Sequence, residues 1–178
     1  MSSRRPRGKA ASCPTRRCTV GAHDVEAFTA QGRAFAFFSN DRDENSPKQR
    51  SALYGFNAGS ARFELVQQVA TDGAHAAEFF RSSSGRDFIA VANLGDRQKN
   101  TYRRKSEVFA FHADRDAPLE SAALLPTRGA TDFEAFSLAN GARFLAVANE
   151  QDDVAGADIE SVIWSVVDEE DGQRHEEL

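Results

Sequence analysis

The chain has 178 residues, of which 40% are hydrophobic and 28% charged, and its formal net charge is −5. This size and composition are typical of one globular domain or of part of a larger protein. No apolar run approaches the roughly 20 residues that a transmembrane helix needs, so we expect no membrane span.

The N-terminal residues 1–17 carry six basic residues and no acid, and no apolar segment of a secretory signal follows them. We predict a solvated, disordered tail; a short transit-type extension is an alternative, and a nucleic-acid arm is disfavoured because no aromatic residues interleave the charges. Cys13 and Cys18 lack the further Cys or His ligands of a zinc site, which leaves two flexible thiols or a small disulfide loop.

A repeat begins after this tail. The stretch "GAHDVEAF" at 21–28 returns as "GAHAAEFF" at 73–80 and as "GATDFEAF" at 129–136. The steps between the opening glycines are 52 and 56 residues, and a Thr stands two positions ahead of each glycine. A unit repeated at this period predicts a supersecondary module stacked on copies of itself.

Three further segments recur in phase with the first one. They are "FAFFSND", "FIAVANLGD" and "FLAVANEQD"; then "SALYGF", "SEVFAF" and "SVIWSV"; and finally "FELVQQVAT" and "LESAALLPT", which has no third copy before the acidic end of the chain. Alternating apolar residues predict strands, and the continuous runs of the "FLAVAN" type predict strands buried on both faces.

Four short strands per module are typical of a β-propeller blade, with a solenoid of short sheets as the alternative. We therefore predict an all-β chain, a partial β-propeller of four-stranded antiparallel blades with fewer than three complete blades. The predicted boundaries are a basic tail at 1–17, blades at 18–71, 72–127 and 128–167, the last incomplete, and an acidic tail at 168–178. Phe28, Phe80 and Phe136 should fill the gaps between blades.

Several polar residues recur with the module. His23 and His75 stand one step apart, but Thr131 in the third copy favours a polar residue at a strand start over a metal pair. The recurrent acids Glu26, Glu78 and Glu134 lack a partner at fixed spacing, so we predict that they hydrogen-bond a loop in each blade rather than act as catalytic acids. The recurrent Asn40, Asn93 and Asn149 are predicted to cap turns.

The segments 41–50, 94–105 and 150–160 vary between modules and carry net charges of 0, +4 and −5. Equivalent loops of a propeller lie on one face, so we predict a protein-binding surface there, with plain solvated loops as the alternative. The candidate partner-binding residues are Tyr102, as an aromatic anchor, and Arg103, Arg104, Asp152 and Asp153.

The sequence contains no nucleophile elbow, phosphate-binding loop, dinucleotide glycine motif or zinc signature. We therefore predict a non-enzymatic protein without a cofactor. A propeller-type enzyme, with residues placed unequally around the central channel, is the rival class. A structural module whose only partner is the rest of its own propeller is a third.

The combination of "TRGATDFEAF", "ARFLAVANEQDD" and "ESVIWSV" in the third copy strongly resembles the EAR repeat, also called the EPTP or epitempin repeat. The second copy fits well and the first is degenerate, with "FFSN" where the pattern has Val-Ala-Asn. The resemblance covers roughly residues 19 to 167. It implies a seven-bladed β-propeller of extracellular or cell-surface proteins that bind other proteins, including receptors, without enzymatic activity.

The resemblance also implies a calcium ion in the central channel of some members. Here Asp24 and Asp132 are the candidate ligands, and Ala76 replaces the acid in the second module, so a calcium site would be partial. A ring of seven blades needs more modules than this chain contains. We therefore expect a fragment of a longer propeller, or partial propellers that associate.

Overall fold

The computed structural model describes residues 21–44 and 46–167, and these contain strands and loops but no helix. Both predicted tails and the two cysteines lie outside the described residues. Within the described residues, no helix offers a candidate for crossing a bilayer.

Eleven strands form three antiparallel sheets, each built from strands that follow one another along the chain. Sheet 1 contains β1 (Ala22–Ala30), β2 (Arg33–Asn40), β3 (Lys48–Asn57) and β4 (Arg62–Asp72). Sheet 2 contains β5 (Ala74–Arg81), β6 (Asp87–Asn93), β7 (Lys105–Phe111) and β8 (Leu119–Pro126). Sheet 3 contains β9 (Ala130–Ser137), β10 (Arg143–Asn149) and β11 (Val162–Ser165).

The sheets are stacked in chain order, with β5 contacting both β1 and β9. Each sheet is an up-and-down meander, and the third lacks a fourth strand within the described residues. The prediction of a partial β-propeller of four-stranded antiparallel blades is confirmed. The first strand of each sheet lies innermost and leaves one edge unpaired.

The continuous apolar run of β6 is buried on both faces, as predicted. Ile89, Ala90, Val91 and Ala92 are each 0% exposed because sheet 1 covers one face and sheet 3 the other. The equivalent run in β10 is buried on one face only. Its Leu145 and Val147 pack on sheet 2, while its Ala148 is exposed.

Aromatic side chains fill the space between the sheets. Between sheets 1 and 2, the ring of Phe28 stacks on Phe79 at 4.2 Å and meets Phe111 edge-on at 5.2 Å. Between sheets 2 and 3, Phe80 is 8% exposed and lies with Phe133 in the second core. Phe28 and Phe80 therefore fill gaps as predicted, whereas Phe136 lies on the outer face of sheet 3.

The glycine that opens each repeat is required by two features of the backbone. Gly73 has a φ of 68°, and a Cβ there would lie 2.3 Å from the carbonyl oxygen of Gly95. Gly21 and Gly129 have the same positive φ and the same close approach to the loop after the second strand. Only glycine satisfies both conditions, since L side chains disfavour this region and any Cβ would clash.

Candidate functional site

A hydrogen-bonded staple built on Asn93 joins three strands at the loop end of sheet 2. The Asn93 Nδ2 donates to the carbonyl of Lys105 at 2.9 Å, and its Oδ1 accepts from the backbone nitrogen of Asp72 at 3.2 Å. The Asn93 backbone nitrogen donates to Ser106 Oγ, which lies 2.8 Å from Thr127 Oγ1. The prediction of a local turn cap was thus too narrow, because Asn93 ties β6 to β7 and to the end of β4.

The same staple recurs in the other sheets, which explains why Asn, Ser and Thr repeat in phase. Asn40 Nδ2 donates to Arg50 at 2.7 Å, and Asn149 Nδ2 donates to Glu160 at 2.9 Å. Asn149 Oδ1 accepts from the backbone nitrogen of Arg128, as Asn93 does from Asp72. In sheets 2 and 3 the staple therefore joins the sheet to the connection from the sheet before it.

The repeated glutamates cap the unpaired edges of the innermost strands. Glu26 Oε1 accepts from the backbone nitrogen of Phe79 at 3.3 Å, and Glu78 Oε1 accepts from Ala135 at 3.2 Å. Both acceptors reach across to the next sheet, so the predicted bond to a loop within each blade is wrong. An edge strand presents backbone donors that need partners, and the preceding sheet supplies them.

The repeated histidines also hydrogen-bond to the unpaired edges of the innermost strands, at positions closer to the connecting loops than those that the glutamates cap. His23 Nδ1 donates to the carbonyl of His75 at 3.0 Å, and His75 Nδ1 donates to the carbonyl of Thr131 at 2.9 Å. The two rings lie 3.5 Å apart. The interpretation of these histidines as strand-start polar residues agrees with this geometry, and their role is to link neighbouring sheets.

These side chains line a cavity of about 540 Å³ along the innermost strands, here called the axial groove. Burial raises the pKa of Glu26 and, with the nearby carboxylates of Glu26, Glu134 and Asp132, raises the pKa of Glu78 to about 7. Burial and the neighbouring His23 lower the pKa of His75. The groove therefore favours the neutral forms of Glu26, Glu78 and His75.

The candidate calcium ligands do not fit a calcium site. Asp24 Oδ2 accepts from the backbone nitrogen of Ala77 at 3.1 Å, and Asp132 Oδ1 accepts from Phe133 at 3.0 Å. The described residues contain no group of three or more His, Cys, Asp or Glu side chains placed to hold a metal ion. Asp24 and Asp132 are therefore backbone caps in this fold, and calcium needs more oxygen ligands than they provide.

An ion pair joins two of the candidate partner-binding residues to each other. The Arg103 guanidinium contacts Asp152 at two points, Nε to Oδ2 at 2.8 Å and Nη2 to Oδ1 at 3.0 Å. Asp152 is 2% exposed and also accepts from the backbone nitrogens of Val154 and Ala155. Arg103 and these two donors hold the pKa of Asp152 well below its usual range.

Of the other three candidates, Tyr102 and Asp153 belong to the same junction between sheets 2 and 3, whereas Arg104 contacts the end of sheet 1. Tyr102 is 5% exposed; its nitrogen donates to Asp153, and its carbonyl accepts from Gly129 at 2.7 Å. Arg104 pairs with Asp72 at 2.9 Å. Tyr102, which was predicted as an aromatic anchor for a partner, is enclosed where the sheets meet. Four of the five predicted binding residues thus join the two loops, and Arg104 joins sheet 2 to the end of β4.

The three variable segments lie side by side and form one surface, here called the loop face. Arg42 in the first segment pairs with Asp96 in the second at 3.5 Å. Arg97 in the second segment pairs with Glu150 in the third at 2.8 Å. The opposite charges of the second and third segments therefore neutralise each other across the junction.

Two tips of the loop face remain exposed. Lys99 has 73% of its side chain exposed although it approaches Asp96, and Val154 is 82% exposed. Each tip stands on a turn whose Asp side chain accepts backbone hydrogen bonds, from Gln98 in one and from Val154 in the other. The only sequence signal for these tips was their position, three residues after Asp96 for Lys99 and two residues after Asp152 for Val154.

A second cavity, of about 780 Å³, opens between the outer part of sheet 2 and the segment before β11. Arg103, Arg104 and Arg128 line it together with Asp158 and Glu160. All three arginines are already paired, Arg103 and Arg128 with Asp152 and Arg104 with Asp72. The mixed charges favour a solvated groove over an anion site.

No family model and no curated protein matches this sequence. Among solved structures, the chain is similar to the crystal structure of a GH43_1 enzyme from Xanthomonas citri complexed with xylotriose, at 15% identity and a TM-score of 0.44. The alignment covers 71% of this chain and 39% of that chain, so this chain spans about two-fifths of the enzyme's length. A likeness this low carries no argument about activity. The class of protein is defined by the chain's own three sheets, which form part of a β-propeller.

Proposed function

We propose that this chain is a non-enzymatic protein-recognition module, an EAR-type partial propeller that binds a protein partner through the tips of its loop face. The supporting observation is the bracing of that face. Ion pairs between sheets hold the loop bases, and the Asp96 and Asp152 turns hold Lys99 and Val154 outward. Binding surfaces preorganised in this way lose less conformational entropy when a partner docks.

The recognition surface proposed here uses different residues from those that the sequence predicted. Tyr102 and Asp152 are enclosed, so they support the surface rather than touch the partner. An exposed aliphatic residue and an exposed cation on the same face suit a protein partner that offers an apolar contact and acidic groups. The resemblance to EAR repeats adds an extracellular or cell-surface setting and a receptor as partner to this proposal.

The test is binding of the labelled full chain to intact cultured cells, measured by flow cytometry with unlabelled chain as competitor. A Lys99→Ser, Val154→Ser variant should lose competable binding. The matched control is Arg62→Ser, Leu138→Ser, which removes one base and one exposed aliphatic residue at the opposite end of the sheets. Equal binding by both variants, or an absence of competable binding by the wild type, contradicts the proposal.

A propeller-type enzyme remains the second candidate because of one observation, the pKa of about 7 for Glu78 in the axial groove. A carboxyl group that titrates near neutrality is a typical general acid or base. In the recognition proposal the same pKa follows from burial and from neighbouring acids. A folded Glu78→Gln variant should therefore bind cells like the wild type. Loss of binding would show that the axial groove, and not the loop face alone, takes part in the function.

A further inference from the structure

The two junctions between sheets are built in the same way. At each one, the first three strands of one sheet contribute a face that packs against the next sheet. We call this face the forward face and the surface that receives it the rear face. In sheet 2 the forward face contains Phe80, Phe88, Ala90, Ala92 and Val108, and it packs on Phe133, Leu145, Val147 and Trp164 of sheet 3.

Sheet 3 carries a second forward face that no described residue covers. Its members align one for one with those of sheet 2 and are Phe136, Phe144, Ala146, Ala148 and Ile163. The rings of Phe136 and Phe144 stack at 5.4 Å, as those of Phe80 and Phe88 do. Phe136 is 38% exposed and Ile163 is 62% exposed. An apolar face of this composition on a terminal repeat needs a cover.

The polar contacts of this face are also incomplete. Glu134 occupies the position of Glu26 and Glu78, which cap the nitrogens of Phe79 and Ala135. Among the described residues, no backbone nitrogen donates to Glu134. Its negative charge contributes to the raised pKa of Glu26 and of Glu78. Glu134 is therefore placed to cap one more edge strand.

Sheet 1 carries the matching surface at the other end of the stack. Its rear face includes Val25 and Phe56, which are 50% and 37% exposed and align with Ala77 and Phe111 of the buried rear face of sheet 2. On the unpaired edge of β1, the backbone nitrogen of Ala27 aligns with that of Phe79, and within the described segments no side chain caps it. One end thus lacks a donor and the other lacks an acceptor.

We propose that the chain associates head to tail with a second copy of itself. The forward face of sheet 3 packs on the rear face of sheet 1 of the next copy, and Glu134 caps the nitrogen of Ala27 there. The two surfaces are different, so the contact is heterologous. Such contacts build rings or open chains rather than closed two-fold dimers.

The experiment is analytical ultracentrifugation of the full chain over a concentration series. The wild type should increase in mass with concentration. Ile163→Arg damages only the forward face and Val25→Arg only the rear face, and each should weaken association at least about tenfold. Both residues are half exposed or more, so both variants should fold, which thermal unfolding checks. Leu124→Arg, on the edge strand β8 of sheet 2 and therefore on neither end face, is the matched control and should associate like the wild type.

Mixing the two damaged variants tests the direction of the contact. The Val25→Arg copy keeps its forward face and the Ile163→Arg copy keeps its rear face, so together they should form a one-to-one pair that grows no further. A wild type that stays monomeric at every concentration would overturn the proposal. That result is expected if terminal segments of the chain, or further repeats of a longer chain, cover these two faces. Val25→Arg that still dimerises alone, or a mixture that does not pair, would also overturn it.

Discussion

The carboxylate of Glu78 accepts a hydrogen bond from the backbone nitrogen of Ala135 at 3.2 Å, one repeat after Glu26 does the same for Phe79. Each of these hydrogen bonds joins two neighbouring sheets. The bond to Glu78 provides a partner for a donor on the open edge of β9, and the two bonds place partly buried carboxyl groups close together along the axial groove. The stability of the stacked sheets should therefore depend on the protonation state of these carboxyl groups.

Replacing Glu78 by Gln should remove a pH dependence of stability. The folded-state pKa of about 7 lies above the unfolded value of 4.5, so the folded state binds the proton more tightly. The wild type should therefore lose stability as pH rises from about 5 to about 8, by roughly 1 kcal/mol after allowance for solvent screening. Gln keeps the acceptor for Ala135 and does not titrate. Urea unfolding at both pH values measures the difference.

The control for this titration is Glu160→Gln, at an exposed position outside the axial groove. It should follow the wild type at both pH values. An identical loss of stability in the Glu78→Gln variant and in the wild type would show that Glu78 does not titrate in this range.

Removal of the Asn93 side chain should destabilise the protein by about 2–3 kcal/mol, because the backbone groups of Lys105 and Asp72 lose their partners. Asn93 is 6% exposed, so water replaces these bonds poorly. Asn149→Ala removes the equivalent bonds at a more exposed position and should cost less than about 1 kcal/mol. Chemical denaturation compares them, and equal costs would argue against burial as the cause.

Gly73→Ala should be far more damaging than Gly141→Ala. Both glycines have a positive φ, 68° and 88°. A Cβ at Gly141 meets nothing within 4 Å, so its cost is the backbone strain of about 1 kcal/mol. A Cβ at Gly73 would overlap the carbonyl of Gly95, and we expect roughly 3 kcal/mol or more. Thermal unfolding measures both, and similar losses would contradict the close approach.

Asp152→Asn should lower the thermal unfolding midpoint because the amide cannot form the two-point ion pair with Arg103. The depressed pKa of Asp152 means that its stabilisation is present above about pH 4 and is lost as the pH falls. The gap between variant and wild type should accordingly shrink in acid. Asp158→Asn, an exposed acid of the same segment, is the control and should change the midpoint little. A gap that is constant with pH would rule out the ion pair as its source.

The sequence predicted the strands well because strand patterns are local. The apolar run of β6 indicated burial on both faces, and its four central residues are completely buried. The equivalent run in β10 could not be predicted as half exposed from its own letters. That difference depends on whether another sheet follows, which is a property of the stack.

The candidate site was predicted less well. Tyr102 and Asp152 sit in polar, variable segments, which is typical of exposed binding residues, yet both are enclosed. Their partners, Asp153 and Arg103, lie about 50 residues away along the chain. Charge patterns within one segment do not reveal that the neighbouring segment carries the opposite charge at contact distance.

By itself the sequence determined the repeating unit and its four-strand plan, because strand periodicity is set by neighbouring residues. Only the tertiary structure decided that the repeated Glu, His and Asn side chains join one sheet to another, and that the charged loops pair with each other. Those outcomes require residues one repeat apart to come within hydrogen-bonding distance. Stacking of the sheets, driven by the burial of their aromatic and aliphatic faces, brings them there.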